Sequence, residues 1–328
     1  MTPMTIGRFV LALLLLTTLA LQGQGQNVAG QGAPQAAGSP PPLNPLKIAL
    51  LHWYVVNTTA RFPVGSQPYG LAFDGANIWS ANYGDGTVTK LHASDGIVLG
   101  TFKVGNQPVG LTFDGANIWV SNSFDNTVTK LRASDGTVLG TFSVGQTPWW
   151  MTFDGANIWV PGGSGIMKIR ASDGKVMGTF TLGGLPIAAA FDGADVWVTN
   201  YGNGTVSKVR ASDGTILGTF TVGFQPLGIT FDGTNIWVGN RGDGTATELR
   251  ASDGKVLGTF SLGGTGAYGV VFDGVYIWIS GSPYLVQLRA IDGVRVGRFD
   301  QPSPTAGIAF DGANVWVGET AINSLSKM

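Results

Sequence analysis

A Phe-Asp-Gly triplet recurs in this chain at Phe73, Phe113, Phe153, Phe191, Phe231, Phe272 and Phe310, at spacings of 40, 40, 38, 40, 41 and 38 residues. A period near 40 residues, built from short strand-like pieces, is the mark of a propeller blade, a unit that buries its faces only against its neighbours. Each unit divides into four pieces, here named A to D. In the first they are YGLAFD (69–74), NIWSAN (77–82), TVTKLH (87–92) and VLGTFKV (98–104). They are rich in β-branched and aromatic residues and are separated by Gly, Asp and Asn. No stretch of the repeats follows a 3.6-residue apolar period, so helices are expected to be few. The expected fold is all-β: a seven-bladed β-propeller of four-stranded blades.

The connections have a mechanism of their own. Asp74-Gly75-Ala76-Asn77 links A to B and Ala93-Ser94-Asp95-Gly96 links C to D, and both put Gly after Asp, where a tight hairpin needs positive φ. The 51 glycines and 16 prolines therefore follow a period, and the low-complexity reading of such a composition does not apply. The seventh unit ends at Met328 without a D piece, while TARFPVG at 59–65 aligns with GTFKVG at 100–105. The N-terminal strand, about 59–65, is therefore expected to complete the C-terminal blade and close the ring. Pro63 suits an outermost strand, where no ladder hydrogen bond is lost.

Strand B carries a Trp at 79, 119, 159, 197, 237, 278 and 316, with Ile or Val on the opposite strand face. Apolar residues on both faces suit a sheet sandwiched between neighbours, so these tryptophans read as material of the seams between blades. The Asp residues of the two hairpin types read as turn residues, lying on separate blades and not as metal ligands.

The N-terminus, MTPMTIGRFVLALLLLTTLALQGQGQ, has Arg8 ahead of an apolar run from Phe9 to Leu21 that is short for a membrane span. Residues 1–21 are expected to be a secretory signal peptide. Residues 22–58 are expected to form a Gln/Gly/Pro-rich linker and an apolar lead-in (KIALLHWYVV, 47–56), and residues 59–328 the propeller. Location is thus expected to be periplasmic, cell-surface or secreted, with no membrane span after signal cleavage. There is no cysteine, hence neither a disulfide nor a lipoprotein attachment site. The net charge of −1 provides no overall field for a polyphosphate, which argues against nucleic acid as a partner. A monomer is expected.

The units resemble the YVTN-type propeller repeat. A Pro-Tyr-Gly opening at 68–70 leads to Asp74-Gly75, and strand B then reads WVSN at 119–122, WVTN at 197–200 and WVGN at 237–240, followed by TVTKLR and an exit strand ending in Val-Gly. The resemblance covers everything after residue 59. It implies an exported seven-bladed propeller that binds other molecules or sits at the cell surface, and it names no catalytic residue.

Function is expected where the repeats disagree. In propellers the D–A and B–C connections share one face, and here these are the variable ones. The residue after the D–A proline position is Tyr69, Val109, Trp149, Ile187, Leu227, Tyr268 or Ala306, and the next is Gly at 70, 110, 228 and 269 but Trp150 in the third unit. Trp149 and Trp150, with Tyr69 and Tyr268 beside them and Leu227 and Ile187 completing the ring, are the candidate ligand- or partner-binding residues. They suit a small flat apolar or sugar-like ligand, or a protein side chain. In the B–C loops, Asp85, Asp125 and Asp243 lie on different blades and are not expected to share a calcium ion. Arg241-Gly242-Asp243 matches an adhesion tripeptide, but one Tyr-to-Arg change in the neighbouring YGDG produces it.

Catalytic inventory is thin: His52, His92, Glu248 and Glu319 are all the histidines and glutamates present. No catalytic residue and no cofactor are assigned, a single bound divalent cation being the one option left. The expectation is a non-catalytic binding propeller. The alternative is a metal-dependent lyase or hydrolase resembling virginiamycin B lyase, which matches in fold and blade count, or the gluconolactonase-like propellers, for which Glu319 in a B–C loop would be a candidate ligand.

Overall fold

The computed structural model describes residues 60–328 apart from Thr265 and Pro283. The expected signal peptide, linker and lead-in lie outside the described residues. Within them the chain forms seven four-stranded antiparallel sheets and no helix.

The first blade runs A Pro68–Phe73, B Asn77–Asn82, C Thr87–His92 and D Val98–Lys103. The other five complete sheets repeat that order. The seventh takes A (Thr305–Phe310), B (Val315–Glu319) and C (Ser324–Lys327) from the C-terminus. Its D strand is Ala60–Pro63, paired antiparallel with register Ala60 to Lys327 and Pro63 to Ser324. The closing strand thus lies where the alignment of 59–65 places it.

Each blade builds one unit around its strand B tryptophan. In blade 2, Asp114 Oδ1 accepts the backbone N–H groups of Ala116 and Asn117, while Oδ2 accepts the Trp119 indole N–H at 2.8 Å. The Asp-to-indole bond recurs in all seven blades at 2.6–2.8 Å. The hairpin aspartates are thus turn residues that also satisfy a buried donor, which would otherwise carry a desolvation penalty. Six of the tryptophans have no exposed surface, and each of the seven packs on the D-strand Phe of its blade, 5.3–5.7 Å between ring centroids.

The blades are tied at the same end. Lys90, Lys130, Lys168, Lys208 and Lys327 lie 5.0–5.2 Å from the centre of their blade's indole, and each donates to an Ala carbonyl of the next blade at 2.6–2.7 Å. Lys327 reaches Ala93, which joins blade 7 to blade 1. Blade 5 has Glu248 at this place, hydrogen-bonded to Asn235 at 2.7 Å. Burial, and then the neighbouring Asp232, push its carboxyl above the usual range despite the Asn235 bond. The Asp-Gly of the C–D hairpins belongs to the same seams. Gly96 has φ +75°, and a Cβ there would strike the Phe62 ring of the closing strand, so the position is closed to other residues on both counts.

Glu319 departs from the expected loop position. It is the last residue of strand B, fully buried, at the place held by Asn82, Asn122, Asn200 and Asn240 in other blades. Its carboxylate accepts from Arg61 Nε at 3.2 Å and Ser324 Oγ at 2.8 Å. Where Asn82 bonds the hydroxyls of Thr87 and Thr89, the closing blade uses an ion pair across its seam of chain ends. A carboxylate committed in this way latches the closing strand to the C-terminal blade.

Candidate functional site: an aromatic mouth

The face opposite the hairpins is assembled by mutual capping of two loop types. The residue before the D–A proline adopts left-handed φ at Gln67, Gln107, Leu185 and Gln225, between 51° and 57°. In that conformation its carbonyl accepts the N–H of the first B–C loop residue, respectively Tyr83, Ser123, Tyr201 and Arg241, each at 3.0 Å. The B–C aspartates return the contact: Asp125 accepts the Asn106 N–H at 2.7 Å, and Asp85 and Asp243 accept those of Ser66 and Phe224. Asp85, Asp125 and Asp243 are thus spent separately, one per blade, and no cluster of three metal-ligating side chains occurs among the described residues. Their effect is to brace the loops that carry Tyr83, Ser123 and Arg241.

Strand A lines the channel. Gly70, Gly110, Gly228 and Gly307 lie so close to the next blade that a Cβ would meet a backbone oxygen at 2.2–2.6 Å. Trp150 stands at this position in blade 3, and the backbone accommodates it by leaving its own sheet. Strand A of that blade shrinks to Thr152–Phe153, and Trp150 forms a parallel bridge to Ala188 of blade 4, donating to the Ile187 carbonyl at 3.0 Å and accepting from the Ala189 N–H at 3.1 Å. Ala188 rather than Gly occupies the facing position.

The displaced indole crosses the channel. Trp150 stacks on Tyr69 of blade 1, ring centroids 5.4 Å apart and planes 17° from parallel. Tyr69 meets Tyr83 at 5.7 Å, and Trp150 meets Trp149 at 5.9 Å. Four rings therefore run Tyr83, Tyr69, Trp150, Trp149 across the ring's mouth. A cavity of about 370 Å³ lies here, walled by Tyr69, Tyr83, Trp149 and Tyr268 and completed by Gln67, Pro304, Thr305, Ala306 and Thr320. A smaller one of about 140 Å³ lies in the channel against Trp150, Met151 and the A-strand glycines, with Tyr268 on the wall of both. Trp149 faces the mouth, whereas Trp150 lines the channel.

Of the six residues expected at the site, the structure brings together Trp149, Trp150, Tyr69 and Tyr268. Ile187 and Leu227 are 3% and 7% exposed and line neither cavity, their side chains being buried in the ring. Sequence reasoning missed Tyr83, Tyr201 and Arg241. Arg241 Nη1 donates to the Tyr201 hydroxyl at 3.0 Å, and its guanidinium carbon lies 5.0 Å from the Tyr268 ring centre. Burial first, then the neighbouring Tyr268 phenol, raises the Tyr69 hydroxyl above the usual phenol range, with Arg241 opposing, so Tyr69 remains an O–H donor at neutral pH. The missed signal was the recurrence of Tyr, Tyr and Arg at one loop position on the variable face.

A further cavity, about 190 Å³, lies in blade 3 and follows from sequence. Where blade 1 has Asn82, Thr87 and Thr89 bonded together, blade 3 has Gly162, Gly165 and Met167, which leave the space unfilled and uncharged. His92, the one histidine among the described residues, is exposed at the hairpin face, its Nδ1 3.2 Å from Asp95.

No protein-family profile and no curated sequence matches the chain. Among solved structures it is similar to a catalytically inactive histidine-to-alanine variant of virginiamycin B lyase from Staphylococcus aureus, with quinupristin (TM-score 0.72, 18% identity, 82% of this chain and 98% of that one). It is also similar to a streptogramin B lyase (0.71, 18%, 82% and 96%) and to hydrazine synthase of Kuenenia stuttgartiensis (0.71, 16%, 83% and 97%). At these identities the likeness carries the architecture alone: this chain has the fold of a seven-bladed β-propeller.

Proposed function

We propose that this chain is an exported, non-catalytic binding propeller of the YVTN-repeat type, and that it takes a flat ligand or a partner's side chain in the aromatic mouth. The observation that carries the reading is the four-ring stack from Tyr83 to Trp149 beside a cavity of about 370 Å³. Rings held rigidly by neighbouring rings offer stacking area at small entropic cost, and the volume falls in the range of small-molecule sites. The walls carry three phenols, an indole, two threonine hydroxyls and an amide, but no carboxylate or imidazole.

Similarity to virginiamycin B lyase keeps a lyase as the second reading. The structure named above is inactive through loss of a histidine, whereas His92 here lies on the opposite face and Glu319 is latched to Arg61. Those placements favour binding over that chemistry.

The test is calorimetric titration of the purified chain with flat aromatic compounds and with oligosaccharides. At least one class is expected to bind and to weaken at least about tenfold on Trp149→Ala, since base-like stacking on one aromatic is worth on the order of 1–3 kcal/mol. Absence of binding by every compound, or binding indifferent to Trp149→Ala, overturns the assignment. Chelator-sensitive cleavage of quinupristin would establish the lyase reading in its place.

A further inference from the structure

We infer that the mouth is built for an aromatic carboxylate, with Arg241 as the anion-binding group; this rests on the reading of the mouth as a binding site. Arg132, Arg170, Arg210, Arg250 and Arg289 each pair with the Asp three residues on, at 2.6–3.1 Å, and Arg61 pairs with Glu319. Among the described arginines, Arg241, Arg295 and Arg298 form no ion pair; Arg295 and Arg298 lie on the outer strand Arg295–Asp300, whereas Arg241 lies against Tyr268, a wall of the mouth. The acid nearest in sequence, Asp243, is occupied with the backbone N–H of Phe224.

What surrounds Arg241 holds it in place without neutralising it. The Tyr201 hydroxyl takes one N–H, the Tyr268 ring centre lies 5.0 Å from the guanidinium carbon, and the Gln225 carbonyl fixes its backbone. A guanidinium bonded through Nη1 to a phenol hydroxyl, with an aromatic ring beside it, has its Nε and Nη2 edge left to bind a carboxylate through two bonds. Tyr268 also walls the mouth cavity, so a ring lying along the Tyr69 and Trp149 faces would bring an attached carboxylate toward Arg241. No carboxylate lines the cavity to oppose it. A neutral ligand of the same shape would gain the stacking and forgo the charge-assisted bonds.

The test compares naphthalene-2-carboxylate with naphthalene-2-methanol by isothermal titration calorimetry on the full chain. The carboxylate is expected to bind about tenfold tighter or more, as befits a charge-assisted bond over a neutral one. Arg241→Gln is expected to erase that preference, read as the ratio of the two affinities in the variant. Raising salt from about 0.1 M to about 1 M, which shortens screening from about 10 Å to about 3 Å, should shrink the preference in the unaltered chain. Equal binding of the two compounds, or a preference that survives Arg241→Gln, overturns the inference and leaves the binding mouth standing. Binding of neither overturns the inference, and overturns the binding mouth as well if the oligosaccharides also fail to bind. Should Arg241→Gln fail to fold, a carboxylate preference insensitive to salt overturns the inference by itself.

Discussion

The two faces of this propeller spend the same residue types in opposite ways. On the hairpin face an Asp accepts an indole N–H, a Phe covers the indole, and in five blades a Lys crosses to the next blade, with almost no variation around the ring. At the mouth, Tyr, Trp and Arg occur each in one or a few blades and are held by loop backbone instead. Aromatic rings at the hairpins are satisfied within the fold; those at the mouth stack on one another and still wall an open cavity. Repetition is thus the sign of a group whose partners are internal, and departure from it marks a group left available.

The largest effect is expected from Asp114→Ala on the hairpin face. The Trp119 indole would lose its acceptor in a site with no water access, and two backbone N–H groups would lose their cap. A loss of about 3 kcal/mol is expected in denaturant unfolding, with binding at the mouth unchanged. The same aspartates predict an acid limit. At Asp74, Asp114, Asp154 and Asp311 burial raises the carboxyl, but the indole and the turn amides outweigh it and leave it below the ordinary 3.8. A group depressed on folding contributes stability above its unfolded value and loses it as pH falls through its folded one. Melting temperature should therefore drop below about pH 4, and Asp114→Asn should lessen the slope.

Trp150→Ala tests the opposite face with a smaller effect. The indole fills the channel but is only half-buried, so a loss of about 2 kcal/mol is expected, below the usual range for a fully buried Trp. Removing it should also slacken Tyr69 and weaken mouth binding, a coupling that Asp114→Ala should not show.

The smallest effect is expected within the hairpin face, at Glu248. Glu248→Lys would restore in blade 5 the cation that Lys208 supplies in blade 4, with the Trp237 ring beneath it and the carbonyl of Ala290 where Lys208 finds that of Ala251. A gain of about 1 kcal/mol at neutral pH is expected by thermal unfolding. Because the Glu248 carboxyl is raised on folding, its contribution is present below the ordinary 4.5 and is lost as pH rises through the folded value. The advantage of lysine should therefore shrink in acid; an equal advantage at all pH values would show that the seam does not sense the carboxylate.

Architecture was open to reading because each blade is local: strand, hairpin and Asp-Gly turn are specified within about 40 residues, and the ring's closure follows from a D strand missing at Lys327 and present at Phe62. Even the Asp-to-indole bond had a visible trace, the constant five-residue step from Asp114 to Trp119 and its six counterparts. Trp149, Trp150, Tyr69 and Tyr268 stood out as breaks in the repeat. What the chain order left undetermined was convergence. Whether Trp150 stays in its blade or crosses to Tyr69, whether Ile187 turns inward, and whether Arg241 meets Tyr268 or a carboxylate all depend on how seven separately specified units are spaced about one axis. Period and polarity along the chain determined the blades; only closing the ring brought together side chains up to 258 residues apart, since those distances are set by packing between blades and not by any local propensity.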